Sequence, residues 1–69
     1  MSDFYQTNAT AFTVGQRVAI HPATDAWMRG DRYGLVTRVD HHANDVRVLL
    51  DSARLMWFAP ECLAIVPED

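Results

Sequence analysis

The stretch that decides the fold spans residues 14–39 and reads VGQRVAIHPATDAWMRGDRYGLVTRV. At its start, Val18 and Ile20 alternate with polar or small residues, which is the period of a half-buried strand and predicts a first strand over 16–20. Pro22 ends that strand, because proline cannot donate to a sheet ladder. The stretch therefore begins with a β-strand.

The segment 23–32 is too polar for a core strand and too short for a stable isolated helix. It predicts a long ordered loop, with room for one helical turn capped by Thr24 or Asp25. The second strand starts at Tyr33, where Gly34 permits close packing or a bulge at a sharp bend.

Alternation continues along the second half of the chain. Val46, Val48 and Leu50 share one strand face, and turn residues separate the strands. A proline-entered 3₁₀ turn is predicted over 59–63. The second to fifth strands are predicted at 33–40, 45–51, 54–58 and 64–66.

This order of elements resembles the SH3-like barrel superfamily. The phrases GQRVAIHPATDAWMRGDRYGLVTRV (15–39) and VRVLLDSARLMWFAPECL (46–63) look like small SH3-like proteins of bacteriophage and environmental sequences, whose function is largely uncharacterised. The resemblance implies an all-β, five-stranded antiparallel barrel over 12–67 with one short 3₁₀ turn. Residues 1–11 are expected to form a flexible arm, with Phe4 and Tyr5 docked on the body or on a neighbouring subunit.

A second resemblance, to the plasmid-encoded type II dihydrofolate reductases, would make the protein an enzyme. Those chains are also SH3-like and of similar size, and four copies enclose one central pore. Their fourth strand carries a Gln-Ile-Tyr stretch that binds folate and nicotinamide, with a lysine nearby. Here Met56-Trp57-Phe58 stands at the equivalent place and the chain has no lysine, so the amide and hydroxyl groups are lost. The likeness is one of fold, and an enzyme built at an oligomer pore is the alternative function.

The charge balance argues against nonspecific nucleic-acid binding. The net charge is −3, whereas DNA-binding domains gain affinity from a surplus of basic groups. A nucleic-acid accessory protein, the third function considered, would need several of the arginines to lie together. Those arginines are Arg17, Arg38, Arg47 and Arg54. No apolar stretch approaches the roughly 20 residues that span a bilayer, and no leader pattern is seen, so a cytoplasmic protein is expected.

The first loop is the best candidate for a binding site, because ligand contacts concentrate on loops held by a rigid scaffold. Tryptophan, tyrosine and arginine are also enriched at binding hot spots. The residues expected to line a groove are Asp25, Trp27, Arg29, Asp31, Arg32 and Tyr33. The alternative is structural: Trp27 and Met28 cover the open end of the barrel, and Asp25 or Asp31 pairs with Arg29 or Arg32 to fix the loop.

The fourth strand is apolar on both faces at Leu55, Met56, Trp57 and Phe58, which a strand with one face in water should not be. A symmetric partner is one cover for the second face, so these four residues predict an interface in a homo-oligomer. The alternative is burial by barrel curvature and the N-terminal arm.

Other chemistry has little support in the sequence. His41 and His42 are adjacent, so their side chains diverge, and a lone Cys62 excludes an internal disulfide and a cysteine-rich zinc site. We therefore expect no cofactor and no metal, and we predict a non-enzymatic interaction module with a protein partner.

Overall fold

The computed structural model describes residues 8–67, and they form one five-stranded antiparallel sheet. Its strands are β1 (Arg17–Ile20), β2 (Tyr33–Asp40), β3 (Asp45–Leu50), β4 (Leu55–Phe58) and β5 (Leu63–Ile65). The order across the sheet is β4-β3-β2-β1-β5, so β1 to β4 form a meander and β5 returns to pair with β1. The predicted all-β class is confirmed. Within residues 8–67 the two outer strands, β4 and β5, do not pair with each other, so the sheet is open and the predicted closed barrel is not confirmed.

Three short helical segments accompany the strands within residues 8–67, one before β1 and two between strands. The α-helix α1 (Asp25–Met28) lies inside the predicted loop, and Thr24 caps it by accepting a hydrogen bond from the Trp27 backbone N–H at 3.2 Å. A 3₁₀ turn at Pro60–Cys62 begins with its proline, as predicted. A second 3₁₀ turn, at Ala9–Ala11, was not expected from the sequence. No helix in residues 8–67 is long and apolar enough to span a membrane.

The packed body begins before residue 12, the start predicted from the sequence. Ala9 is completely buried, and its backbone N–H donates to Oδ1 of Asn44 in the β2–β3 turn at 2.8 Å. Phe12 is buried beside it in the core. Residues 8–11, which fall in the predicted arm, are therefore attached to the body by a long-range hydrogen bond and by burial. Phe4 and Tyr5, with the docking expected of them, lie outside the described residues.

The core lies on one face of the sheet, where the strands alternate as predicted. Its largest fully buried apolar side chains are Val18, Ile20, Val36, Val46, Val48, Leu50 and Leu63. Gly34 explains how β2 and β3 approach so closely, since a Cβ there would collide with the side chain of Val48 and lie 2.9 Å from the Leu49 carbonyl oxygen. The irregularity in β2 lies instead at Thr37, between the registers of Val36 and Arg38. Gly34 thus serves close packing, and Thr37 supplies the bulge.

Candidate functional site

A surface groove lies where the chain leaves β1, passes through α1 and enters β2. It encloses about 330 Å³. Its lining residues are Ala19, Ile20, Pro22, Trp27, Arg32 and Tyr33. Three of the six predicted binding residues, Trp27, Arg32 and Tyr33, are therefore brought together in one concave surface.

Trp27 forms both a wall of the groove and an edge of the core. The Thr24 cap begins the turn of α1 that carries the indole, and the side chain packs against the buried core cluster while remaining half-exposed. The guanidinium carbon of Arg32 lies 3.6 Å from the centroid of the indole ring. This is close cation–π stacking, which leaves the N–H groups at the edge of the guanidinium free to point at a ligand. Trp27 therefore packs on the core, as the structural interpretation expects, and also lines the groove, as the binding-site interpretation expects.

Tyr33 also lines the groove. It is the first residue of β2, and its register partner on β1 is Ala19, whose small side chain leaves the phenol ring accessible. The guanidinium carbon of Arg17 lies 5.0 Å from the centroid of the Tyr33 ring. Two arginines thus stack on the two aromatic residues of the groove, and the site combines apolar walls with positive charge.

Asp31 precedes Arg32 in sequence but its side chain is buried. Its Oδ1 accepts a hydrogen bond from the Ser52 backbone N–H at 3.1 Å, and its Oδ2 lies 4.0 Å from Nη2 of Arg54. These contacts tie the end of the first loop to the turn between β3 and β4. Asp31 therefore positions the loop and does not line the groove, but its arginine partner is Arg54 and not the Arg29 or Arg32 that the structural alternative expects.

Asp25 and Arg29 stand at the two ends of α1 and are exposed. Asp25 occupies the first helical turn, where the helix dipole favours an acidic residue. The Arg29 backbone N–H donates to the Asp25 carbonyl at 3.0 Å and closes the turn. Neither side chain lines the groove.

Three lining residues were not predicted: Ala19, Ile20 and Pro22. Each is an ordinary small or apolar residue, so its type gives no signal of binding. The alternation of β1 does place Ala19 on the face opposite the core, but its position beside Tyr33 follows from the register of β1 and β2 in the structure.

The predicted oligomer interface on β4 divides between two faces. Phe58 is buried in the core and Met56 packs against it, whereas Leu55 and Trp57 are exposed on the outer face of the sheet. Two of the four residues are therefore exposed at the surface of one chain, and Met56 is half-buried.

The four arginines considered for nucleic-acid binding do not form one cluster. Arg38 and Arg47 are cross-strand register partners, and Arg17 pairs with Leu35 in a neighbouring row. Arg54 instead approaches buried Asp31 and donates to Sδ of Met56 at 3.4 Å.

Reactive groups are sparse in residues 8–67. No cluster of three or more His, Cys, Asp or Glu residues there could hold a metal ion. Burial, with a smaller effect of the Glu61 carboxylate, raises the pKa of the half-buried Cys62 thiol and keeps it protonated at neutral pH. A protonated thiol is a weak nucleophile. Comparison of the chain with protein-family models, curated proteins and solved structures finds no match, so function is inferred from the groove itself.

Proposed function

We propose that this protein is a non-enzymatic binding module that holds an extended segment of another protein in the groove between Trp27 and Tyr33. The observation that carries the proposal is the stacking of Arg32 on Trp27, 3.6 Å from the ring centroid, at the edge of an apolar concavity. The strand order, with β5 returning to β1, supports an SH3-like architecture as part of this proposal.

The chemistry of the lining defines the segment. Pro22, Ile20 and the aromatic rings offer apolar contacts, which suit one leucine, proline or similar side chain of an extended chain. Arg32 and Arg17 supply guanidinium donors at the rim, and a guanidinium pairs best with a carboxylate. The preferred ligand is therefore an apolar residue flanked by an aspartate or glutamate.

Arg32 and Arg29 make a matched pair for testing this proposal. Both are exposed arginines of the first loop, and only Arg32 lines the groove. Trp27→Ala is less informative, because Trp27 also packs on the core and its removal would lower the stability of the fold.

The experiment is selection from a displayed library of random ten-residue peptides against the purified protein. Selected peptides are then measured by fluorescence on a Trp57→Phe background, where Trp27 is the only indole. We expect selected sequences rich in apolar–acidic pairs, with a change in Trp27 emission on binding. Arg32→Ala should weaken binding by about tenfold, the worth of one charge-assisted hydrogen bond, and Arg29→Ala should leave it nearly unchanged.

The proposal fails if no peptide is enriched over a library panned on empty support. It also fails if the enriched peptides lose affinity equally in Arg29→Ala and Arg32→Ala. Circular dichroism of each variant confirms that a loss of binding is not a loss of fold.

A further inference from the structure

The bulge in β2 brings three polar side chains together on the outer face of the sheet. The register passes from Val36 to Arg38, so Thr37 and Arg38 both stand opposite Arg47 on β3. Val46 is buried in the core, so Arg47, which follows it on the strand, points outward. Bulges of this kind redirect a side chain and are common beside functional sites.

Thr37 holds the guanidinium of Arg47 in place. Nε of Arg47 donates to Thr37 Oγ1 at 3.0 Å, and the Thr37 hydroxyl donates to the Arg47 backbone carbonyl at 3.2 Å. Neither terminal nitrogen of Arg47 makes a hydrogen bond or ion pair within residues 8–67. Those nitrogens are therefore available to a ligand, and a planar guanidinium that is already oriented loses little freedom when it binds an anion.

Arg38 and Arg47 place two like charges directly opposite each other on neighbouring strands, which destabilises a sheet. Asp40 offsets only part of the Arg38 charge, because the pKa of Asp40 is lowered most by the backbone N–H of Ala43 and least by Arg38. No ion pair within residues 8–67 includes either arginine. An anion bound between them would therefore offset their repulsion.

Trp57 continues this row onto β4 and adds a flat apolar surface beside the two charges. It is the register partner of Arg47, and it is 47% exposed. Neither cation–π pair within residues 8–67 includes Trp57, so its ring is available for stacking. An indole beside two guanidinium groups suits a ligand that combines a planar ring with a phosphate.

The neighbouring rows limit how much negative charge the ligand can carry. On one side lies the acidic pair Asp40 and Asp45, and on the other side lies the apolar row of Leu35, Leu49 and Leu55. A nucleic-acid strand crossing this face would carry its next phosphates onto carboxylates or leucines. One phosphate group matches the basic row, and a polymer of phosphates does not.

We infer that this face binds a nucleoside monophosphate, with the base on Trp57 and the phosphate between Arg38 and Arg47. Neighbouring strands lie about 4.8 Å apart, so a phosphate centred between β2 and β3 is about 7 Å from β4. In a nucleotide the sugar separates the base from the phosphate, whereas the phosphate of phosphotyrosine is attached to the ring itself. The spacing therefore favours a nucleotide.

Nuclear magnetic resonance of the nitrogen-15-labelled protein tests the site and its location together. The chain has two tryptophans, Trp27 in the groove and Trp57 on this face. Titration with adenosine 5′-monophosphate should shift the Trp57 indole N–H and leave the Trp27 indole N–H in place. We expect a dissociation constant of about 1 mM or tighter. Adenosine and inorganic phosphate should each bind at least about tenfold more weakly, since each fills only half of the site.

Substitutions separate the contributions of charge, stacking and orientation. Arg38→Ala, Arg47→Ala and Trp57→Ala should each weaken binding of adenosine 5′-monophosphate by about tenfold, the worth of one charge-assisted hydrogen bond or one stacked base. Arg29→Ala, which removes the same charge at the end of α1, is the control and should leave the affinity unchanged. Thr37→Val should weaken binding, and Thr37→Ser should keep it, if the hydroxyl orients Arg47.

Four results overturn the inference: no shift at Trp57, a shift at Trp27 in its place, inorganic phosphate that binds as tightly as the nucleotide, or an equal loss of affinity in Arg29→Ala and Arg47→Ala. Tighter binding of a phosphotyrosine peptide or of a single-stranded oligonucleotide also overturns it and assigns the face to that ligand. Circular dichroism checks the fold of each variant. Because this test reads Trp57 and the peptide test reads Trp27, either proposal can fail while the other holds.

Discussion

The two adjacent aromatic residues on β4 should lose very different amounts of stability when each is truncated to alanine. Phe58 is 6% exposed and Trp57 is 47% exposed, although both belong to one apolar run in the sequence. We expect Phe58→Ala to lower the free energy of unfolding by about 3–5 kcal/mol, the range for deleting a buried aromatic side chain. Trp57→Ala should cost less than about 1 kcal/mol in the monomer, as for most exposed positions.

The size of the Phe58 effect follows from its position. Its register partner is Val46, which is fully buried, and both belong to the core cluster. A chain of 69 residues has a total stability of about 3.5–10 kcal/mol, so Phe58→Ala could remove most of it. Phe58→Leu keeps the measurement possible, with an expected loss of about 1–2 kcal/mol from the smaller apolar side chain.

Urea unfolding followed by far-ultraviolet circular dichroism measures each loss without relying on an indole signal. Samples at low micromolar concentration, with mass checked by sedimentation, separate folding from self-association. Equal losses for Phe58→Leu and Trp57→Ala, or a larger loss for Trp57→Ala, would refute the inward orientation of Phe58.

Three further predictions concern the backbone at Gly34 and Ala53 and the charge of Asp40. Gly34→Ala should lower stability by about 1–3 kcal/mol, because the added methyl collides with Val48; unchanged urea unfolding would contradict that. Ala53 adopts a φ of 72°, so Ala53→Gly should raise stability by about 0.5–1 kcal/mol by relieving left-handed strain, and a loss would count against it. The backbone N–H of Ala43, and then that of His42, lower the pKa of Asp40. Its stabilising effect is therefore complete above its ordinary pKa near 4 and fades as pH falls through the lowered value. Asp40→Ala should abolish that part of the acid dependence in urea unfolding, and an unaltered pH profile would contradict it.

Strand positions were predictable because alternation is a local property. The β2 bounds agree with the prediction, and each other strand differs by no more than one residue at either end. The 3₁₀ turn at Ala9–Ala11 was not predictable, since it depends on a hydrogen bond to Asn44, 35 residues away. The local sequence pattern also could not predict whether the sheet closes into a barrel, because closure depends on how β4 and β5 lie relative to each other.

The apolar residues of β4 show a second limit of prediction from sequence, which concerns the face of the strand that is buried. Apolar residues on both strand faces make the hydrophobic pattern symmetric, so the sequence cannot say which face is buried. Register resolves it, because Val46 opposite Phe58 places that face in the core. Leu55 and Trp57 are then left on the outer face beside Leu49 and Arg47, and the apolar excess of the strand belongs to a surface.

The groove could be predicted only through its unusual residue types. Asp31 and Arg32 are neighbours in sequence and equally plausible as binding residues, yet the backbone N–H of Ser52 holds Asp31 inside while Arg32 stacks on Trp27. That choice depends on a turn 21 residues away. Because Trp27 contacts the core on one side and the groove on the other, a ligand that fills the groove packs against an element of the fold. Such binding adds to the free energy of unfolding by mass action, which makes melting temperature a second measure of occupancy, independent of the fluorescence of Trp27.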